Sequence, residues 1–171
     1  VIGTGAIGRQ HIERLSKKMT GVKVTAVNDI VAEAAQKIAE QCGASYYSDP
    51  QELINSDQVD AVLIASSDAT HAKFVLMAIE AEKPVFCEKP LATNADDARK
   101  IVEAEVALGK KLVQVGFMRR YDVGYLEMKD AIDEGRIGAP LMLHCAHRNP
   151  TPGPGHTTEM SITNSVIHEI D

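Results

Sequence analysis

VIGTGAIGRQH at residues 1–11 contains Gly3-Thr4-Gly5-Ala6-Ile7-Gly8, a G-x-G-x-x-G loop set between a short apolar remnant, Val1-Ile2, and an amphipathic run. Each glycine has a separate task in such a loop. Gly3 permits the tight turn, Gly5 lets backbone approach a pyrophosphate, and Gly8 lets helix and strand pack closely. Ala6 and Ile7 supply N–H groups at the start of the following helix, where the positive end of the dipole favours phosphate. A lone hexapeptide of this kind is a weak signal, and its surroundings determine its weight.

Those surroundings agree with it. Asp29 follows Gly8 by 21 residues, at the end of KVTAVN, where an acidic side chain accepts hydrogen bonds from an adenosine ribose. A carboxylate there repels a 2′-phosphate, so NAD is expected over NADP. The other reading of Asp29 is a helix cap for residues 31–42. Valine- and isoleucine-rich strand candidates at 1–2, 23–28, 59–66, 84–88 and 112–117 alternate with helical patterns at 6–18, 31–42, 70–82 and 95–109. Most of the strand candidates are continuously apolar, as in strands covered on both faces. In the last helix Ala98, Ile101, Val102, Ala104, Glu105 and Leu108 form the inward stripe, and Gly109 is the stop. The expected class is α/β, a Rossmann-type doubly wound parallel sheet over residues 1–120.

After residue 120 the pattern changes. A helix over 121–134, a turn at GRIGAP, a strand at 141–148 (LMLHCAHR) and a Pro/Gly/Thr-rich loop at 149–158 lead to a short helix near Ser161–Thr163. Residues 121–171 therefore read as the beginning of a second α+β domain with a mostly antiparallel sheet. Val1-Ile2 is too short for the strand that the loop requires, and IHEID at 167–171 has no helix-closing residue. The sequence is expected to be a piece of a longer protein.

Composition narrows the class further. Of 171 residues, 44% are hydrophobic and 25% charged, as in soluble globular proteins, and no apolar run reaches the roughly 20 residues of a membrane span. With 18 basic and 24 acidic residues the net charge is −6, which argues against nucleic acid as partner. Cys42, Cys87 and Cys145 lack the spacing of a zinc site or redox pair and fit a reducing cytoplasm. His144 and His147, three apart on the expected strand, face opposite sides and His156 is isolated, so no metal site is expected.

Glu88-Lys89-Pro90 ends a buried strand at the sheet edge where open α/β sheets bind ligands. A lysine there can hydrogen-bond a substrate hydroxyl; by position alone an ordinary surface lysine is as good a reading. GTGAIG at 3–8, EKP at 88–90, QVGFMRRYD at 114–122, CAHRNP at 145–150 and IHEID at 167–171 run in this order through the chain. Together they resemble the glucose-fructose oxidoreductase/inositol dehydrogenase (Gfo/Idh/MocA) family, and FMRRYD with HRNP narrows the likeness to its bacterial inositol-oxidising branch.

The resemblance implies NAD-dependent oxidation of a ring hydroxyl of myo-inositol to a 2-keto-inositol. It places the family's catalytic lysine at Lys89 and its general-base histidine at His168. Met118, Arg119 and Asn149 fall on positions that line the polyol pocket, and Ser66, Ser67 and His71 fall in a loop beside the cofactor, as does Glu88. The residue types suit the reaction: a histidine titrates near neutral pH and can take the hydroxyl proton, while a lysine stabilises charge developing on oxygen. One position departs from the pattern. Four residues before the histidine, where the branch tends to carry an acid, stands Asn164; an amide orients an imidazole without stabilising its cation. The implied assembly is a homotetramer built through the absent domain. The alternatives are a dehydrogenase of scyllo-inositol or another sugar or cyclitol, and a non-catalytic NAD(H)-binding regulatory module.

Overall fold

A computed structural model describes residues 1–148 and 157–171. Packing divides the chain into two compact units, Val1–Gly116 and Phe117–Asp171.

In the first unit, five short strands alternate with five helices: α1 Ala6–Lys17, β1 Ala26–Val27, α2 Ala32–Cys42, β2 Ser45–Tyr46, α3 Pro50–Asn55, β3 Val62–Ile64, α4 Asp68–Glu80, β4 Val85–Cys87, α5 Ala95–Leu108 and β5 Val113–Val115. Every pairing is parallel: β1 lies beside β2, and β3, β4 and β5 follow in order. Ile2 joins the two groups, bridging in parallel to Asn28 on one side and Ile64 on the other. Its N–H donates to Leu63 O at 2.8 Å and its carbonyl accepts from Ala65 N at 2.8 Å. The order is therefore β2, β1, the Ile2 segment, β3, β4, β5, which is the doubly wound arrangement.

Alternation along the strands divides the core between the two faces of the sheet. Ala26, Val62, Ile64, Val85 and Cys87 pack with Leu53, Ile54, Phe74, Val75, Ala78, Ile79 and Ile101 of α3, α4 and α5. Val27 and Leu63 instead pack with Ile12 of α1 and Ala39 of α2. Helix ends follow local chemistry. Gly43 and Gly109 close α2 and α5 in the left-handed conformation, and Asn94 caps α5 by accepting from Asp97 N.

Several sequence expectations are corrected. The strands are two or three residues long, shorter than the apolar runs that contain them, because register limits pairing to where neighbours overlap. β2 and α3 were not expected, although Asp49-Pro50 is a helix-start signature: the Asp49 side chain accepts from Gln51 N, and Pro50 occupies the first turn. On α5, Ile101 is buried but Val102 faces solvent.

The second unit contains a 3-10 turn at Met118–Tyr121, α6 Val123–Asp133, α7 Thr158–Ser161, a π-helical stretch Ile162–Val166 and α8 Ile167–Ile170. Residues 141–148, expected as a strand, form none. A strand exists by pairing, and among the described residues nothing pairs with this segment. His144 and His147 therefore do not lie on a strand that would turn them to opposite sides. Asn149 and His156 lie outside the described residues.

Candidate dinucleotide and substrate site

The parallel order brings five chain segments to the same edge of the sheet, each following the carboxyl end of a strand: the glycine loop, Asn28-Asp29, Ala65-Ser66, Glu88-Lys89 and Gly116. A side chain at Gly3, which has φ of 93°, would place its Cβ 2.5 Å from the Ala65 carbonyl carbon. At Gly8 the Cβ would lie 2.0 Å from Gly3 O. Both glycines are required by the protein's own packing. Gly5 differs: a Cβ there would meet nothing within 4 Å.

Gly5 is also the first residue of the α1 cap and offers no side chain to the helix N–H groups. α2, α3, α4 and α5 each carry an acidic residue in the first turn, and α1 carries none. An open glycine before an uncapped, acid-free helix start is what a pyrophosphate requires. The residues present, Gly3, Gly5, Ala6, Ile7 and Gly8, therefore fit the cradle that a dinucleotide's phosphates would need.

Asp29 is tied into that cradle. Its Oδ2 accepts from Thr4 N at 2.6 Å and from Thr4 Oγ1 at 2.9 Å, while Oδ1 accepts from Val31 N at 3.0 Å. Burial pushes its pKa up, but the N–H groups of Val31, Thr4 and Ile30 and the Thr4 hydroxyl outweigh this and hold it below the ordinary value. The carboxylate is thus held in its ionised form by the chain's own donors. The α2 cap position itself is Val31, so Asp29 turns the chain into the helix without being its cap residue. Neighbouring Asn28, not singled out in the sequence, is buried and donates from Nδ2 to Tyr47 O at 2.9 Å and Ser48 O at 3.2 Å.

On the β3 side, Ser66 Oγ pairs with Thr70 Oγ1 at 2.7 Å, and Ser67 opens α4. His71 was expected beside the cofactor. It is only 1% exposed, with Nδ1 2.6 Å from Pro90 O and Nε2 3.2 Å from Ser66 O. It sits inside the fold between the carbonyls that follow β3 and β4, and a neutral ring donates to one of the two. Lys89 is half-buried and precedes a cis peptide bond to Pro90. Glu88 is held by His11 of α1, whose Nε2 is 2.7 Å from Glu88 Oε1. That bond, with the His11 charge, the Lys89 N–H and the Lys89 charge, lowers the Glu88 pKa against the opposing effect of burial. Cys87 is fully buried, and burial, with the charges of Glu88 and Asp68, pushes its thiol up to about 12, so it is inert.

In the second unit His168 is buried on α8. Asn164 lies in the π-helical stretch and accepts from the Thr163 hydroxyl at 3.1 Å. Met118 is exposed. Arg119 is engaged: its guanidinium is 2.6 Å from Glu169 Oε2 and 4.9 Å over the Tyr125 ring. Glu169 also lies 3.2 Å from His147 Nδ1. The hydrogen bond from Arg119 is the main reason that the Glu169 pKa is lowered. Asp171 accepts from Arg120 Nε with both oxygens, at 2.8 and 3.0 Å. Sequence reasoning did not reach Thr4, His11 or Glu169. His11 alone carried a signal, standing three residues past Gly8 on the loop's own helix.

Residues 1–117 match a family described as the Gfo/Idh/MocA oxidoreductase family, NAD-binding Rossmann fold. The chain belongs to this family. It is 57% identical to the inositol 2-dehydrogenase of Azotobacter vinelandii, covering 100% of this chain and 51% of that protein. With the inositol 2-dehydrogenase of Pseudomonas fluorescens it is 58% identical, covering 100% and 52%. Among solved structures, myo-inositol dehydrogenase from Lactobacillus casei in complex with NAD(H) and myo-inositol superposes with a TM-score of 0.93 at 44% identity. That likeness covers 99% of this chain and 50% of the other. The chain thus spans about half the length of the relatives it matches. No helix among the described residues is long and apolar enough to cross a membrane.

Proposed function

We propose that the protein of which this chain is the dinucleotide-binding part oxidises a ring hydroxyl of an inositol, myo-inositol first, to a 2-keto-inositol with NAD. The reading is carried by the likeness to the Lactobacillus casei enzyme, whose structure holds NAD(H) and myo-inositol. The glycine loop and Asp29 hold the cofactor, and Asp29 disfavours a 2′-phosphate by charge. When bound, NAD supplies the hydride acceptor.

The chain's own residues supply the rest. Lys89 donates a hydrogen bond to the alcohol oxygen and stabilises charge growing there. His168 accepts the hydroxyl proton as general base. Met118, Arg119 and Asn149 orient the polyol, and Asn164 orients the imidazole. Ser66, Ser67 and Glu88 serve the cofactor side, His71 from its place inside the fold. Assembly as a homotetramer in the cytoplasm belongs to the same proposal.

Asn164 favours a second reading, a non-catalytic NAD(H)-binding module, because an amide cannot stabilise the imidazolium that turnover forms. Initial rates of the full-length protein on myo-inositol, scyllo-inositol and glucose, each with NAD and NADP, separate these readings. NADH formation fastest on myo-inositol is expected. Tight NADH binding with no turnover on any polyol would leave the module, and preference for NADP would overturn the role of Asp29.

A further inference from the structure

The family resemblance and the substrate chemistry give no task to His11, which forms a part-buried pair with Glu88. His11 on α1 and Glu88 after β4 meet at 2.7 Å, with side chains only 16% and 21% exposed. The imidazole is also fixed edge-on against Phe86, at 5.5 Å between ring centroids and 65° between planes. A carboxylate can only accept, so Nε2 carries the proton whether the ring is neutral or charged. The carboxylate belongs to the residue directly before Lys89 in the chain. Glu88 has no need of its side chain to stay in the sheet, because its own N–H already donates to Ile64 O at 2.9 Å. Packing of α1 onto the sheet is likewise provided by the neighbouring Ile12. What the pair adds is a connection from the phosphate-loop helix to the residue directly before Lys89.

We propose that His11 is a positioning residue, holding the Glu88 carboxylate and through it the Lys89 backbone, so that the dinucleotide helix and the lysine are kept in one fixed relation. The inference rests on the dehydrogenase reading only for the role of Lys89 toward the alcohol. Groups facing the imidazole are the Glu88 carboxylate and the Phe86 ring, with the Lys89 ammonium acting on Glu88 from the same segment.

The test uses the full-length protein and four variants: His11→Gln, His11→Leu, Glu88→Gln, and His11→Leu combined with Glu88→Gln. Glutamine keeps a donor and leucine keeps only bulk. His11→Leu is expected to lower kcat on myo-inositol roughly ten- to hundred-fold, the scale of a small misplacement of a reacting group. KM for NAD should move far less, and His11→Gln should recover most of the rate. The double variant should fall within about twofold of the worse single one, because the two residues act as a unit. A second readout needs no turnover: Lys89, reductively methylated with 13C and assigned by its loss in Lys89→Arg, is titrated by NMR. Its resonance and titration midpoint should shift in His11→Leu and return in His11→Gln. Full rates in His11→Leu, equal losses with Gln and Leu, or an unmoved Lys89 resonance would each overturn the proposal. If the wild type turns over no polyol, the dehydrogenase reading fails, and the NMR titration alone decides the role of His11.

Discussion

The two units of the chain use apolar residues in opposite ways. In Val1–Gly116 twenty hydrophobic residues are buried, and the three buried polar ones, Thr4, Asn28 and His71, all have partners. In Phe117–Asp171 the single buried residue among those described is His168, while Leu141, Met142 and Leu143 are 96%, 89% and 71% exposed. A strand or helix in the first unit finds its cover a few elements away. The second unit displays an apolar run for which the described residues provide none. Burial in the first unit thus reports packing, whereas the second buries, among the described residues, one titratable side chain, the one to which the proposed function gives the hydroxyl proton.

The largest test of that contrast is His168→Ala in the full-length protein. If burial there serves proton transfer, kcat should fall by about 10²–10⁴-fold with little change in melting temperature. A drop in stability with kcat preserved would make His168 an ordinary core residue and erase the contrast.

Next in size is a pair of truncations. Leu53→Ala, in the middle of the first core, should cost about 2–5 kcal/mol in denaturant unfolding of the 171-residue chain. Leu141→Ala should stay within about 0.5 kcal/mol there. A cost at Leu141 comparable to that at Leu53 would mean that the apolar run is covered outside the described residues.

Within the glycine loop the same distinction between packing and ligand can be drawn at atomic scale. Gly8→Ala forces a Cβ against Gly3 O and should destabilise the unit by about 1–3 kcal/mol. Gly5→Ala fills open space and should change stability by less than about 1 kcal/mol, the size of a cap effect. Calorimetry should nonetheless show weaker NADH binding for Gly5→Ala. Unchanged affinity would remove Gly5 from the cradle.

The smallest effect concerns pH. The Asp29 carboxyl is held below its ordinary pKa in the folded protein, so its contribution is fully present above that ordinary value. It is lost as pH falls through the lowered folded value. Stability measured by urea titration should therefore decline on acidification through that range, and Asp29→Asn should flatten the decline. An identical acid limb in both proteins would show that the Thr4 and Val31 hydrogen bonds carry no net preference for the charged form.

How far the sequence could be read follows from the same division. The alternation of strands and helices in the first unit, apart from β2 and α3, and the places of the glycine loop, Asp29 and Lys89 at strand ends were legible because each is a local pattern: a glycine spacing, an apolar run, a strand end. What escaped depends on contacts between distant residues. Neither the tie of Thr4 to Asp29 nor the His11–Glu88 pair, 77 residues apart, leaves a spacing signal. His71 was expected in the loop after β3 and lies instead in the first turns of α4, where its ring faces the Pro90 and Ser66 carbonyls, a contact that helical position alone does not reveal. The 141–148 segment has the composition of a strand, yet composition cannot supply a partner.

The Ile2 junction has a consequence for motion. The amides of Ile2, Gly3, Asn28 and Ala65 are all held in one ladder across it, to Leu63 O, Asn28 O, Val1 O and Ile2 O respectively. None can open without parting the two halves of the sheet, so hydrogen exchange at these four should follow one common rate, that of global unfolding. Gly3 lies at the mouth of the phosphate loop, where amides ordinarily exchange fast; here the floor beneath the cofactor should be as slow to open as the core itself.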